Sequence, residues 1–329
     1  MLDVQNISVK IKNKYLLESI SFTLEEGEWL TIIGPSGAGK TTLLRAICGL
    51  SECDGTIKWN EEDISQVPCD KRNMKLVFSE PSLFQYATVR DNISLGLHKN
   101  HSNDEIDTLV DNIAKKLSIS SLLQRKCVSL SQGEKQRVVL ARALVDPLKI
   151  LLLDEPFNAL DKPLKEQLQK EIKQFCKENK ITCIMVSHDQ QDSFLYSDKV
   201  LVLKDGKVVE LLKAKDHFQP SCSYTAKFIA QDFTTIIEKN PKAKEYSFFS
   251  NVLTDLSSIS TLCIPLEAIH LEKDGKYSGR VKEIYPYKQG YIVVLYDDTT
   301  ILYAYSCHVF QENSYVHFSI SIEDMQMYQ

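Results

Sequence analysis

The stretch GPSGAGKTTL, residues 34–43, directly follows the apolar run WLTII, and it could bind a phosphate. Gly34, Gly39, Lys40 and Thr41 fit the pattern G-x-x-x-x-G-K-[ST]. Backbone N–H groups can wrap a phosphate only at φ values that glycine adopts at low cost, and the helix expected over residues 41–48 directs its positive dipole end at the anion. We expect Lys40 to reach the β- and γ-phosphates and the Thr41 hydroxyl to bind Mg²⁺. The predicted nucleotide-binding residues here are Gly34, Pro35, Ser36, Gly37, Ala38, Gly39, Lys40, Thr41 and Thr42.

A second group with possible chemistry is the pair of acids that ends the apolar run ILLLDE, residues 150–155. A buried strand with this ending places Asp154 and Glu155 at the carboxyl edge of a sheet, where doubly wound folds bind ligands. Adjacent carboxylates repel each other, and Mg²⁺ would relieve that repulsion. We expect Asp154 to face the Mg²⁺ shell and Glu155 to accept a proton from an attacking water.

The third stretch is LSQGEKQRVVLARAL, residues 130–144. Ser131 and Glu134 have the spacing of a capping box, in which the serine caps a helix and the glutamate reaches back to the free N–H. Gly133 would allow another group to approach the backbone closely. The pattern therefore predicts a second helix N-terminus suited to an anion.

The elements that must position these groups follow an α/β pattern over residues 1–230. Continuous apolar runs at 150–153 and 181–186 indicate strands buried on both faces, and apolar residues at helical spacing predict a helix over 106–117.

The composition changes after about residue 235, since ten of the 14 tyrosines lie between Tyr246 and Tyr328. In this part, strict alternation of Val316, Phe318, Ile320 and Ile322 predicts a strand, and residues 297–300 separate the runs 291–296 and 301–305 as a hairpin turn would. We expect an all-β domain from about residue 240, after a linker over 231–245.

Composition narrows the functional classes. The net charge is −5 with both signs interspersed, which argues against a nucleic-acid partner. The nine cysteines form no C-x-x-C pair, so we expect reduced, mostly buried thiols. The sequence has no visible signal peptide and no apolar run of membrane-spanning length, so the expected location is cytoplasmic.

Beyond its phosphate loop and acidic strand, the chain resembles the ATP-binding cassette (ABC) ATPases. Their signature L-S-G-G-Q corresponds to LSQGE at 130–134, and it is followed here by QR at 136–137 and ARAL at 141–144. NALD at 158–161 is similar to the D-loop, and VSHD at 186–189 to the switch-histidine loop. The resemblance implies a P-loop NTPase fold with a RecA-like core and a helical subdomain. It also implies a head-to-tail homodimer in which ATP lies between one P-loop and the partner's Ser131, Gly133 and Glu134. His188 would contact the γ-phosphate and help to hold Glu155 and the water.

The chain is more closely similar to the ATPase subunits of maltose, spermidine/putrescine and ferric-iron importers. The segments at 71–93, 198–210 and 224–230 resemble these proteins, and CIPLEAIHLE at 263–272 resembles the start of their C-terminal OB-like domain. The resemblance implies an ATPase domain over 1–235, with a helical subdomain at about 85–135, and an all-β OB-like regulatory domain over 240–329. It implies two integral membrane permease subunits as partners, indirect cooperation with a substrate-binding protein, and a peripheral position on the inner face of the cell membrane.

Three positions depart from the family pattern, and the residue that stacks on adenine has to be assigned separately. The resemblance implies that the Q-loop residue binds Mg²⁺. Ser79 replaces the glutamine there, and we expect its shorter side chain to reach Mg²⁺ through a water. Gln132 replaces a glycine, which is tolerable if the residue is helical, and Glu134 replaces a glutamine, which repels phosphate unless the capping box holds the carboxylate back. We expect Tyr15, the nearest aromatic, to stack on adenine, although an ungapped alignment places Ile11 there. The resulting hypothesis is a working but slow or tightly coupled ATPase.

Three other readings of the sequence remain open. These are an exporter-type ABC ATPase, a regulatory ABC protein with little turnover, and a non-transport ABC ATPase of the DNA-repair or translation type. The short spacing between P-loop and signature and the single cassette argue against the last class. The C-terminal β region favours import over export.

Overall fold

The computed structural model divides the chain into two units, Met1–Gln219 and Pro220–Gln329. The residues that the structure describes are 1–12, 14–99, 101–158, 160–187, 196–213, 235–238, 261–265, 268–287, 290–296 and 300–328, with Cys222, Tyr224, Thr225 and Phe228.

The first unit is an α/β fold in which the described strands and helices follow the sequence pattern. Its strands are β1 (Leu2–Ile11), β2 (Lys14–Leu24), β3 (Trp29–Ile33), β4 (Asp54–Trp59), β5 (Glu62–Asp63), β6 (Met74–Val77), β7 (Ile150–Asp154), β8 (Thr182–Val186), β9 (Lys199–Lys204) and β10 (Lys207–Lys213). The α-helices among its described residues are α1 (Lys40–Cys48), α2 (Val89–Ser94), α3 (Asn103–Lys116), α4 (Gln132–Leu144) and α5 (Lys162–Glu178).

The central sheet of this unit has the strand order β10-β9-β3-β8-β7-β6 among the described residues. Only the β9–β10 pair in it is antiparallel. Every residue of β3, β7 and β8 is buried, because both faces of the sheet are covered. Successive side chains of β7 enter different cores: Ile150 and Leu152 pack with α1 and the β2-β1-β4-β5 sheet, whereas Leu151 and Leu153 pack with α3, α4 and α5. The predicted buried strands at 150–153 and 181–186 are therefore confirmed.

Three helices of this unit begin with a capping box. The pairs are Thr88 with Asp91 at α2, Ser102 with Glu105 at α3, and Ser131 with Glu134 at α4. The predicted helix over 106–117 is confirmed as α3, which buries Ile106, Val110 and Ile113. The predicted limits of the helical subdomain, about 85–135, stay a prediction.

The second unit is rich in β-strands. The described strands are β11 (Thr235–Glu238), β12 (Thr261–Ile264), β13 (Ile269–Leu271), β14 (Tyr277–Tyr287), β15 (Gly290–Tyr296), β16 (Ile301–Ser306), β17 (Tyr315–Ile320) and β18 (Gln326–Tyr328). They pair as two antiparallel sheets, ordered β11-β12-β18 and β13-β17-β14-β15-β16. The predicted hairpin is confirmed as β15 and β16, although residues 297–299 of its turn lie outside the described part.

Two expectations about this unit need correction. β17 ends at Ile320, and Ile322 starts a 3-10 turn, so the alternating pattern extends the strand too far. Within the expected linker over 231–245, residues 235–238 form β11 and pair with β12, so these four residues are not linker. The domain limits 1–235 and 240–329 and the OB-like character stay predictions.

The structure also bears on the predictions about membrane-spanning segments and cysteines. In the parts of the chain that the structure describes, no helix is both long and apolar enough to span a bilayer. Cys48, Cys127, Cys176 and Cys183 are buried thiols in the first unit, as the sequence predicts.

Candidate functional site

The carboxyl edge of the central sheet carries a pocket of about 280 Å³. Its walls are the loop between β3 and α1, the first turn of α1, the start of β2 and the residue after β7. The lining residues are Leu16, Ser36, Gly37, Gly39, Lys40, Thr41, Thr42 and Glu155. The phosphate loop and one of the two predicted acids therefore face the same pocket.

Two glycines of the loop have no room for a side chain. A Cβ at Gly34 would lie 2.1 Å from the backbone oxygen of Leu203, so the loop passes directly against β9. Gly39 is the N-cap of α1 with a φ of 99°, and a Cβ there would lie 2.7 Å from Leu17 Cδ2. Between these glycines, a hydrogen bond from Ala38 N to Pro35 O closes a turn. The backbone is thus fixed in a shape that only this glycine spacing permits.

The Lys40 side chain is 6% exposed and bends back over the loop. Its ammonium donates to the backbone oxygens of Gly34, at 2.9 Å, and Pro35, at 3.1 Å. Burial lowers the pKa of Lys40, and the nearby carboxylates of Glu155 and Asp154 counteract that shift. Both hydrogen bonds of this ammonium go to neutral oxygens, so an anion in the pocket would add a directly bonded partner of opposite charge.

Thr41 and Asp154 form a direct contact across the site, with the Thr41 hydroxyl donating to Asp154 Oδ1 at 3.0 Å. Burial raises the pKa of Asp154, the Thr41 hydrogen bond opposes the shift, and the Glu155 charge adds to it. A hydroxyl beside a buried carboxylate is a set of hard oxygen donors, which Mg²⁺ prefers, and a divalent cation would stabilise the ionised carboxylate. The residues present therefore fit Mg²⁺.

Glu155 follows β7 with a φ of 52°, in the left-handed region. Its backbone N–H donates to the oxygen of Val186 at the end of β8, at a distance of 3.2 Å. Its carboxylate Oε2 accepts a hydrogen bond from Asn158 Nδ2 at 2.6 Å. The carboxylate lines the pocket, where it could accept a proton from a water.

The predicted anion-binding helix start has the expected capping box. Ser131 N donates to Glu134 Oε2 at 2.8 Å, and Glu134 N donates to Ser131 Oγ at 3.3 Å. A Cβ on Gly133 would lie 2.5 Å from Leu164 Cδ2, so the group that approaches this glycine within the chain is a leucine of α5. Ser131, Gly133 and Glu134 are not among the residues that line the pocket.

Two other predicted site residues, Tyr15 and Ser79, do not line the pocket. Tyr15 is 49% exposed, and Lys10 Nζ lies 5.2 Å from its ring centroid, whereas the adjacent Leu16 lines the pocket. Ser79 is exposed and lies two residues after β6. His188 lies outside the described residues. The adenine, Mg²⁺ and γ-phosphate roles expected for these residues stay predictions.

Sequence reasoning missed Leu16, and it placed Asn158 in the segment similar to the D-loop without its contact with Glu155. Leu16 precedes a buried strand residue and carries no polar group, so nothing in its local pattern points to a ligand. Asn158 follows Glu155 by three residues, a spacing that closes a turn, and this was the available signal.

The site therefore combines three chemical capacities at one sheet edge. Backbone N–H groups and Lys40 can hold phosphate, and Thr41 with Asp154 can hold a divalent cation. Glu155 can act as a base.

Comparison with known proteins assigns this arrangement to a family. A family model described as ABC transporter matches residues 17–158. A spermidine/putrescine import ATP-binding protein, PotA, of Haemophilus influenzae is 35% identical over 234 residues, which span 70% of this chain but only 63% of that protein. The PotA of Pasteurella multocida is 34% identical over 270 residues, spanning 79% of this chain and 73% of the relative.

Solved structures agree with the sequence comparison. The cbiO1 protein of Clostridium perfringens, part of the ABC transporter complex cbiONQ, has a TM-score of 0.62 and 32% identity, covering 66% of this chain and 90% of that protein. The ATP-binding cassette MJ0796, a dimer in a post-hydrolysis state bound to ADP and Pi, has a TM-score of 0.59 and 28% identity. The match covers 65% of this chain and 98% of that chain. The fold is thus the ABC cassette form of the P-loop NTPase fold, and this chain belongs to the family of ABC transporter ATP-binding proteins.

Proposed function

We propose that this chain is the ATP-binding and ATP-hydrolysing subunit of a bacterial ABC importer. The observation that carries the proposal is the convergence of Lys40, Thr41, Asp154 and Glu155 at one sheet edge. A regulatory protein that only held nucleotide would have no need of the fourth residue, a carboxylate facing the phosphate loop.

Each residue has a separate role in hydrolysis. The loop backbone and Lys40 bind the phosphates, with Lys40 exchanging its two carbonyl partners for the anion. Thr41 and Asp154 would hold Mg²⁺, and the ion would neutralise phosphate charge. Glu155 orients the attacking water and accepts its proton.

The active species is a homodimer in which the start of α4 completes the partner's site. Two observations support this arrangement: Ser131 does not line the pocket of its own chain, and one structural neighbour, MJ0796, is a dimer. The positive end of α4 would bind the terminal phosphate from the opposite side. We expect monomers to associate in Mg²⁺-ATP when Glu155→Gln blocks turnover.

An exposed apolar patch supports docking to a membrane permease subunit. Phe84, Tyr86 and Val128 are 59%, 81% and 53% exposed, and we name them the Phe84 patch. Their two segments run side by side, joined by the bond from Val128 N to Gln85 O at 2.8 Å. Buried Asn92 fixes the loop by exchanging hydrogen bonds with the Phe84 backbone. Exposed aromatic clusters on a rigid support are typical of protein interfaces.

The relatives are named for the import of spermidine and putrescine, so these polyamines are the first substrates to test. Selection of the substrate would belong to the permease subunits and a binding protein, with this chain at the cytoplasmic face.

The decisive experiment is phosphate release by the purified chain in Mg²⁺-ATP. Glu155→Gln is expected to slow release by about 10²-fold or more, because a general base contributes about that much, while nucleotide binding persists. Lys40→Ala is expected to lose nucleotide binding and ATP-dependent association.

Two exposed residues provide matched controls, Glu26→Gln and Lys170→Ala, which should leave both activities unchanged. Release that continues at the wild-type rate in Glu155→Gln would exclude Glu155 as the base. ATP-dependent association that survives Lys40→Ala would exclude the phosphate-binding role of the loop.

A further inference from the structure

The hydrogen bond to Glu155 comes from a residue with no assigned role in the site. Asn158 Nδ2 lies 2.6 Å from Glu155 Oε2, and Asn158 N also donates to Glu155 O at 3.4 Å. Asn158 does not line the pocket of its own chain, and its described link to the site is this contact with Glu155.

The geometry fixes the Glu155 side chain at both ends. At the near end, a φ of 52° is a strained conformation for a glutamate, and the bond from Glu155 N to Val186 O ties it to the sheet. At the far end, the Asn158 amide engages one carboxylate oxygen. Each carboxylate oxygen has two lone pairs, so accepting the amide hydrogen bond does not remove the capacity of the group to accept a proton.

The turn that carries Asn158 is itself anchored. Phe157 is 3% exposed and accepts a hydrogen bond from Leu160 N. Asp161 caps α5, with its Oδ1 accepting from Leu164 N at 3.2 Å. Asn158 is therefore held between a buried aromatic and a capped helix, as a positioning group must be.

We propose that Asn158 is a positioning residue for hydrolysis: its amide aligns the Glu155 carboxylate toward the attacking water. The inference rests on the proposed role of Glu155 as the base. It assigns Asn158 to the chemical step, so its loss lowers kcat and leaves nucleotide affinity unchanged.

Three substitutions test this assignment in the full chain. Asn158→Ala should lower kcat about tenfold, the scale of one lost hydrogen bond to a charged group, with the KM for ATP and the Kd for a fluorescent ATP analogue unchanged. Asn158→Gln keeps the amide and should recover most of the rate. Asn158→Asp keeps the shape but replaces the donor with a like charge, so its rate should fall at least as far as that of the alanine variant.

A double-mutant comparison separates positioning from a general structural effect. If Asn158 acts through Glu155, adding Asn158→Ala to Glu155→Gln should lower the residual rate no further. Asn179→Ala is the matched control, because Asn179 also donates its amide within a turn, to Phe175 O at 2.8 Å, at the far end of α5.

The outcomes distinguish the two proposals. A kcat for Asn158→Ala within twofold of wild type, a parallel loss of nucleotide affinity, or a full additive effect on the Glu155→Gln background would overturn the role of Asn158. Failure of Glu155→Gln to slow the reaction would overturn the proposed function itself, and the Asn158 assignment with it.

Discussion

Arg72 is buried between the end of α1 and the loop before β6, and Arg72→Ala is expected to destabilise the first unit by about 3 kcal/mol. The guanidinium is 8% exposed and donates to four backbone oxygens: Ser65 at 2.6 Å, Val67 at 2.7 Å, Ile47 at 2.8 Å and Ala46 at 3.3 Å. The last two belong to the final turn of α1, where a cation also complements the helix dipole.

The magnitude follows from these acceptors. Ala46 O keeps its hydrogen bond from Gly49 N, so truncation removes the donor of the other three oxygens. Each buried oxygen left without a donor costs about 1 to 3 kcal/mol, which gives about 3 to 9 kcal/mol for three. A polar pocket of about 580 Å³ adjoins Arg72, so water can reach some of these oxygens after truncation. We therefore expect about 3 kcal/mol rather than the full sum. Arg72→Lys should have an intermediate effect, because an ammonium cannot spread its donors in the plane of the guanidinium.

Tryptophan fluorescence during urea unfolding measures this change in the first unit alone. Trp29 and Trp59 are the two tryptophans of the chain, and both lie in that unit. The control is Arg90→Ala, since Arg90 pairs with the mostly exposed carboxylates of Asp107 and Asp111 and should cost only about 0.5 to 1 kcal/mol.

The result that would refute the reasoning is equality of the two variants. If Arg72→Ala shifts the urea midpoint no more than Arg90→Ala at unchanged m-value, these oxygens are satisfied in another way, and Arg72 does not support the end of α1.

Two further predictions concern the loop and the start of α4. Gly34→Ala should abolish nucleotide binding, because its Cβ would overlap a backbone oxygen. Gly37→Ala has open space around its Cβ at a φ of 81°, so it should lower the stability by only about 1 kcal/mol and keep nucleotide binding. Titration of both variants with a fluorescent ATP analogue measures the difference. Hydrogen bonds from the Ser131 backbone and hydroxyl lower the pKa of Glu134, so its ionised form stabilises the fold above the unfolded pKa and this stabilisation is lost as the pH falls through the folded value. The stability difference between wild type and Glu134→Gln in urea titrations should therefore be present at pH 7 and decrease progressively once the pH falls below the ordinary glutamate pKa of about 4.3, and a pH-independent difference would contradict this origin.

The sequence predicted those parts of the site that depend on local patterns. The glycine spacing, Lys40 and Thr41 lie within a few residues of each other, and their physical requirements are visible in the chain itself. Asp154 and Glu155 were predictable because a fully apolar strand must end at the sheet edge. The capping box at Ser131 is equally local.

The features that the sequence did not predict depend on contacts between distant segments. Arg72 meets the end of α1 across a separation of 25 residues, and no pattern around it marks the four oxygens it binds. Leu16 enters the pocket only because β2 passes beside Gly39. Ile322 continues an alternating pattern, but the strand pairing of β17 ends before it, and alternation alone does not contain that limit.

The three replaced family positions, Gln132, Glu134 and Ser79, differ in how well the fold accommodates the new side chain. Gln132 is the first residue of α4 and is absent from the described residues with positive φ, so a side chain there costs no backbone strain. The Glu134 carboxylate accepts a hydrogen bond from the backbone N–H of Ser131, which holds the negative charge against the end of its own helix. Both replacements are thus compatible with an anion-binding α4. Ser79 differs, because its short side chain is exposed and outside the pocket, so within the described site Mg²⁺ binding would depend on Thr41 and Asp154.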